Sequence, residues 1–311
     1  IFSFLHISFI QYNDWSILTT KIKLKIIQLF VEENMKNHFK VSVLGASGRM
    51  GSKIIKKISE SSAIDLHFVV EHKGHGWIGQ DCGEKLLGRP NNILITDDLK
   101  LALEGAEAVI DFSTPDTSLE CAKACAQTDT AHVIGTTGFN LGQENEIAEY
   151  AKKVVIVKAG NMSLGINVLT SFVEKISSSL DLDFDIEILE MHHRDKVDAP
   201  SGTALMLGEA AARGKGKSLS ELRVALRDGI SAGREKGSIG FASLRGGGVV
   251  GEHEVSFTSD SERISIKHEA FSRDIFVNGA IKAALWSKEK DPGLYDICLL
   301  YTSDAADEKY R

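Results

Sequence analysis

Residues 190–205, EMHHRDKVDAPSGTAL, concentrate more reactive side chains than any other stretch of the chain. His192 and His193 are adjacent, and Arg194, Asp195 and Lys196 follow at once. Pro200, Ser201, Gly202 and Thr203 then lead into an apolar helix. Three chemistries compete for such a run. A metal site is the weakest, because adjacent strand residues point to opposite faces and no second ligand pair at helical spacing supports the histidines. A charged, solvated loop is the common fate of a run like this. The third is an acid–base centre. A histidine is poised for proton transfer near neutrality, and a helix start at 201–203 beside Lys196 offers free N–H groups and positive charge to a carboxylate. Opposite facing leaves only one histidine for the substrate, and His192 is the expected donor.

A reduction that needs a proton also needs a hydride, and a second constellation is suited to hold its source. VSVLGASGRMGSKII sets Gly45, Gly48 and Gly51 between a strand and a helix. Such glycines permit a tight turn, a close approach to a pyrophosphate, and tight packing of helix on strand. Glu71 ends the next strand, where an acid can hold the ribose hydroxyls of NAD. His72 and Lys73 beside it favour the extra phosphate of NADP, so use of both NADH and NADPH is expected. Two further loops, GTTGF (135–139) and AGNMS (159–163), follow later strands. Gly135, Thr136 and Thr137 can offer backbone and hydroxyl groups to a nicotinamide, bordered by residues 159–162. Each of these loops alone reads equally well as an ordinary turn.

The elements that must position these groups follow from hydrophobic period. Apolar runs at 41–45, 66–71, 106–113, 131–138 and 154–159 alternate with amphipathic stretches. This pattern predicts a Rossmann-type, doubly wound parallel sheet. Beyond residue 160 come a helix, the strand FDIEILEMH, the histidine loop and a second helix. Residues 214–237 are too polar and glycine-rich to be core. The runs at 239–247, 252–260 and 262–271 alternate with period two, as half-buried antiparallel strands do. The second domain is therefore expected to be α+β with a mixed or antiparallel open sheet. A last helix at 273–287 is expected to return to the first domain. The expected division is 35–163 plus 273–297 for dinucleotide binding and 164–272 for substrate binding and oligomerisation. Hinges are expected near 160–164 and 270–273. Residues 1–34 and 298–311 read as additions outside the fold.

Composition narrows the function classes. The chain has 311 residues and a net charge of −7, which argues against nucleic acid as the main partner. The apolar stretch at residues 1–10 is too short to span a bilayer. Four cysteines are too few for a disulfide framework and suit a reducing cytoplasm. Cys121 and Cys125, four apart on an expected helix, read as small buried hydrophobes, and no histidine lies in their segment.

GASGRMG, GTTGF, AGNMS, EMHHRDKVDAPSGTAL and DPGLYD, in this order and spacing, resemble the dihydrodipicolinate reductase (4-hydroxy-tetrahydrodipicolinate reductase) family over residues 40–296. The histidine block is specific to that family; the glycine loop is not. The resemblance implies NAD(P)H-dependent reduction of a cyclic dicarboxylate in lysine and diaminopimelate synthesis. It also implies a homotetramer joined through the second domains. It matches His192 to the proton donor and Lys196 to a catalytic or substrate-orienting lysine. His193, Gly202 and Thr203 match contacts to the substrate carboxylates. Gly45, Ala46, Ser47, Gly48, Arg49, Met50, Glu71, Gly135, Thr136, Thr137, Ala159, Gly160, Asn161 and Met162 match cofactor contacts. His72 stands where many members carry arginine, and Asp195 where members often carry histidine. Two other functions fit the residues: a different NAD(P)-dependent dehydrogenase of similar fold, and a dinucleotide-binding regulator without catalysis.

Overall fold

The computed structural model of the chain describes residues 38–224, 230 and 233–300. The expectation for residues 1–34, and that for the tail beyond residue 300, lie outside the described residues. In chain order the first part contains β1 (Phe39–Leu44), α1 (Gly51–Ser59), β2 (Ile64–Val70), α2 (Cys82–Leu86), β3 (Ile95–Thr96) and α3 (Leu99–Leu103). It continues with β4 (Ala108–Asp111), α4 (Pro115–Thr128), β5 (Ala131–Ile134), α5 (Leu141–Ala151) and β6 (Val155–Lys158). The second part contains α6 (Leu164–Ser179), β7 (Asp185–His192), α7 (Gly202–Gly214), α8 (Leu219–Leu222), β8 (Ile239–Arg245), β9 (Gly251–Thr258) and β10 (Arg263–Ala270). Last come α9 (Asp274–Ser287) and β11 (Gly293–Tyr295).

The first sheet has seven strands in the order β11-β6-β5-β4-β1-β2-β3. Every pairing in it is parallel. The chain starts in the middle and winds outward in both directions, so the loops beyond β1 and β4 part at a switch point where a ligand can enter. Both faces are covered, which is why β4 and β5 are buried at every position. One face packs Ile54, Ile55 and Ile58 of α1 with Val277, Ala280 and Ala284 of α9. Burying each isoleucine contributes about 1.5–3 kcal/mol. The other face packs Cys121, Ala122 and Cys125 of α4 with Ile147 of α5.

The second sheet has four strands in the order β10-β9-β7-β8. The sheet is mixed, as expected, but the 239–247 run is not antiparallel: β8 pairs with β7 in parallel, although its neighbours in sequence form an antiparallel hairpin. The connection from β7 crosses through α7 and α8, which returns the chain in the same direction. One face of this sheet packs Ile186, Ile188, Val255 and Phe257 against Val173 of α6 and Leu207 of α7.

Three local readings also change. The strands β3 and β11 were not foreseen, being only two and three residues long. The polar stretch beyond residue 214 contains α8, whose Leu219 enters the core; Ser218 and Glu221 form its capping box. The chain does not leave the fold at residue 298. Ile297 and Leu300 are buried in the first core, and the Cys298 Sγ lies 3.4 Å from Asn167 Oδ1. With two core side chains in so short a run, no periodicity could reveal it.

Candidate active site

The glycine loop is built as its spacing requires. Gly45 has φ +73°, a conformation that L side chains rarely adopt. A Cβ on Gly51 would stand 2.1 Å from the Gly45 carbonyl oxygen, so only glycine lets α1 start this close to β1. The N-cap Met50 makes no side-chain cap bond, and no acid lies in the first turn of α1. The N–H groups of Arg49, Met50 and Gly51 take no partner among the described residues. Uncapped N–H groups, the positive end of the helix dipole and an open glycine cradle fit the pyrophosphate of a dinucleotide. Glu71 is buried beside this loop. Its carboxylate accepts from Ser47 N at 2.6 Å and from His72 N at 3.3 Å, so it fixes the loop as well as facing it. His72 is exposed and stacks edge-on with His75 at 5.0 Å, which in turn meets Trp77 at 5.4 Å. Neither His75 nor Trp77 was singled out from the sequence.

The loops beyond β4, β5 and β6 converge on the same crevice edge. Thr136 is buried; its hydroxyl accepts from Ser113 N at 3.0 Å and donates to Asp111 Oδ1 at 3.3 Å. Its side chain therefore braces the loop, while Thr137 is exposed. Ala159 and Met162 are buried, and the Met162 side chain belongs to the first core. Asn161 works differently. Its Oδ1 accepts from Ser163 N at 2.8 Å, and its Nδ2 donates to Thr203 Oγ1 at 2.9 Å, which joins the loop after β6 to the start of α7.

The acid–base centre grows out of one face of β7. Ile186, Ile188, Glu190 and His192 alternate inward, so the strand is apolar core for half its length and polar for the rest. Strand register sets Ser243, Glu190, His253 and His268 in one row across the sheet. His192 is 9% exposed, and its Nδ1 lies 2.5 Å from Glu190 Oε2. Arg245, opposite His192 on β8, grips both oxygens of Glu190 at 2.8 Å. Ser201 N also donates to Glu190, at 3.2 Å. Burial opposes the charge on Glu190, but Arg245, His192 and Ser243 outweigh it and bring the carboxyl down to about 2. Burial lowers the His192 pKa below the ordinary imidazole range; Glu190 resists this shift, while Lys196 and Arg245 add to it. Glu190 thus holds Nδ1, and among the described residues Nε2 takes no hydrogen bond. Room for the ring comes from Gly251, where a Cβ would stand 3.1 Å from His192 Nε2.

The helix start beside it is an anion receptor. Ser201 caps α7, accepting from Ala204 N at 3.1 Å, and its hydroxyl also meets His253 Nε2 at 3.1 Å. Burial, followed by the neighbouring His192, lowers the His253 pKa to about 3. The N–H groups of Gly202 and Thr203 take no partner among the described residues. Lys196 Nζ pairs with Asp198 Oδ1 at 2.8 Å, at the rim of the same cleft. His193, just past the strand, is partly buried.

Glu190, Arg245, His253 and Asp198 were missed as site residues. For Glu190 a signal existed: it sits two before His192 on a strand and so shares its face. Arg245 and His253 become neighbours only through strand pairing, which one sequence does not reveal.

The fold and the two constellations define a two-domain, dinucleotide-binding reductase, with a Rossmann-type sheet facing an acid–base cleft. Residues 39–162 match the family model for the N-terminus of dihydrodipicolinate reductase, and residues 165–299 match that for its C-terminus. The 4-hydroxy-tetrahydrodipicolinate reductase of Roseobacter denitrificans is 48% identical over 263 residues, covering 85% of this chain and 97% of that protein. The reductase of the same name from Cereibacter sphaeroides is 50% identical over 257 residues, covering 83% and 96%. Among solved structures, a dipicolinate-bound dihydrodipicolinate reductase from Paenisporosarcina sp. TG-14 superposes with a TM-score of 0.66 at 22% identity, covering 83% of this chain and 97% of that one. The chain belongs to the dihydrodipicolinate reductase family.

Proposed function

We propose that the chain catalyses the NAD(P)H-dependent reduction of 4-hydroxy-tetrahydrodipicolinate to tetrahydrodipicolinate. One substrate, one NAD(P)H and one proton give the reduced product, NAD(P)+ and water. The observation that carries this reading is the placement of His192. Its Nδ1 is held by Glu190 and, among the described residues, its Nε2 takes no hydrogen bond and the Gly202 and Thr203 N–H groups at the start of α7 take no partner. Residues 45–50 and Glu71 would hold NAD(P)H, bordered by residues 135–137 and 159–162, and the bound coenzyme would supply the hydride. His192 gives the proton from Nε2. Glu190, clamped by Arg245, keeps the ring oriented and supports the imidazolium form. Lys196 exchanges its Asp198 partner for one substrate carboxylate, and the N–H groups of Gly202 and Thr203 receive a carboxylate with help from His193. Water exclusion around these groups strengthens each of these contacts.

Loss of NADH or NADPH absorbance on supplying enzymatically generated substrate tests the assignment. Oxidation with both coenzymes is expected, in keeping with Glu71 beside His72 and Lys73. His192→Ala and Lys196→Ala are expected to cut turnover heavily while coenzyme affinity stays unchanged. Wild-type rates in both variants would sink the proposal. The assembly that goes with it is a cytoplasmic homotetramer joined through the second sheets. Their outer face exposes Leu189 and Leu244. Sedimentation velocity is expected to show four chains per particle.

A further inference from the structure

A group of donors outside the cleft has no part in this reaction. Cys121 and Cys125 project from α4, and His132 reaches them from β5, all three fully buried. Their Sγ and imidazole donor atoms lie within 4.8 Å of one another. The sequence separated these residues, and the crossover from α4 to β5 brings them together. We propose that Cys121, Cys125 and His132 form a buried site for a thiophilic divalent ion of the zinc class.

Three observations support the site independently. The two sulfurs are 3.8 Å apart. Two Zn–S bonds of about 2.3 Å at a tetrahedral angle put their sulfurs about 3.8 Å apart. The His132 Nε2 lies 3.1 Å from Asp111 Oδ2, while the Nδ1 is buried without a hydrogen-bond partner. An imidazole held at one nitrogen by a carboxylate, with its other donor atom clustered with two thiols, has the arrangement of a metal-binding histidine with its supporting acid. Asp111 is itself held by Ser113 Oγ at 2.6 Å and Ser113 N at 2.9 Å, so the supporting acid is fixed. Three protein donors leave the fourth tetrahedral position to an exogenous ligand.

Binding has defined consequences. Thiols bind such an ion as thiolates, so binding releases protons and affinity rises with pH. Burial of all three donors means that the ion enters as the chain folds. The site lies under the loops after β4 and β5, because Asp111 also accepts from Thr136. A bound ion therefore braces the floor of the dinucleotide cleft.

The test is full-length protein expressed in zinc- or cobalt-supplemented medium and then gel-filtered against a weak chelator. One ion per chain is expected, and the cobalt form is expected to show thiolate-to-cobalt charge-transfer absorption. Cys121→Ala/Cys125→Ala is expected to lose both signals, Asp111→Asn to weaken retention, and Cys82→Ala, at a buried cysteine outside the group, to keep both. An ion content unchanged by the double substitution overturns the proposal. If the double variant does not fold, the wild-type cobalt spectrum decides alone: no thiolate charge-transfer band means a hydrogen-bonded thiol pair only.

Discussion

On the first sheet, the groups that would face the coenzyme are mostly backbone: N–H groups at the start of α1, carbonyls at the strand ends, and glycines that let them approach. On the second sheet, the corresponding groups are side chains, with Glu190, His192, Arg245 and His253 drawn from three strands. Backbone sites tolerate many side chains but little added volume. Side-chain networks tolerate volume but not the loss of one partner, because each member left unpaired is buried. The two regions should therefore fail in different ways.

The largest expected effect is at His192. His192→Ala is expected to lower kcat by about 10²–10⁴, as loss of a general acid does, with NAD(P)H affinity unchanged by fluorescence titration. An equal loss of coenzyme binding would erase the division between the regions. Next come the two partners of His192, which should act in opposite directions. Glu190 supports the imidazolium, so Glu190→Gln is expected to move the alkaline limb of the kcat profile to lower pH. Arg245 opposes the imidazolium, so Arg245→Met is expected to move that limb to higher pH. Shifts of about 1–3 pH units are the scale for a close charge. Shifts of the same sign in both variants would break the proposed linkage.

On the backbone side, Gly51→Ala forces a Cβ against the Gly45 carbonyl. It is expected to cost about 1–3 kcal/mol of stability in chemical denaturation and to raise KM for the coenzyme more than for the substrate. The smallest effect is at Ser201. Ser201→Ala loses a helix cap worth about 0.5–2 kcal/mol and is expected to raise KM for the substrate alone. The regions should also differ in acid. His253 has a folded pKa of about 3 against an ordinary 6.5, so it favours the folded state fully above pH 6.5. That contribution falls away as pH drops toward 3. His253→Asn is expected to flatten the stability profile across that window, as measured by thermal denaturation.

The same contrast explains what could be read from the sequence. Gly45, Gly51 and Glu71 are legible because their roles depend on spacing along the chain between one strand and the next. The parallel strands are legible because burial on both faces leaves unbroken apolar runs. Arg245, His253 and the parallel course of β8 are not, because they depend on which strands pair, and local period carries no such information. Cys121, Cys125 and His132 were set apart for the same reason. The burial of Met162 and Thr136 was invisible because their loop sequences suit a ligand contact and a core contact equally well.

The Asn161–Thr203 bond sets what an opening at the expected hinge would have to break. It is the direct tie from the loop after β6 to the start of α7, at 2.9 Å. Drawing the two lobes apart must break it. A hydrogen bond worth about 0.5–1.5 kcal/mol biases the closed population roughly two- to tenfold. A bond of that size would favour an assembled cleft without locking it.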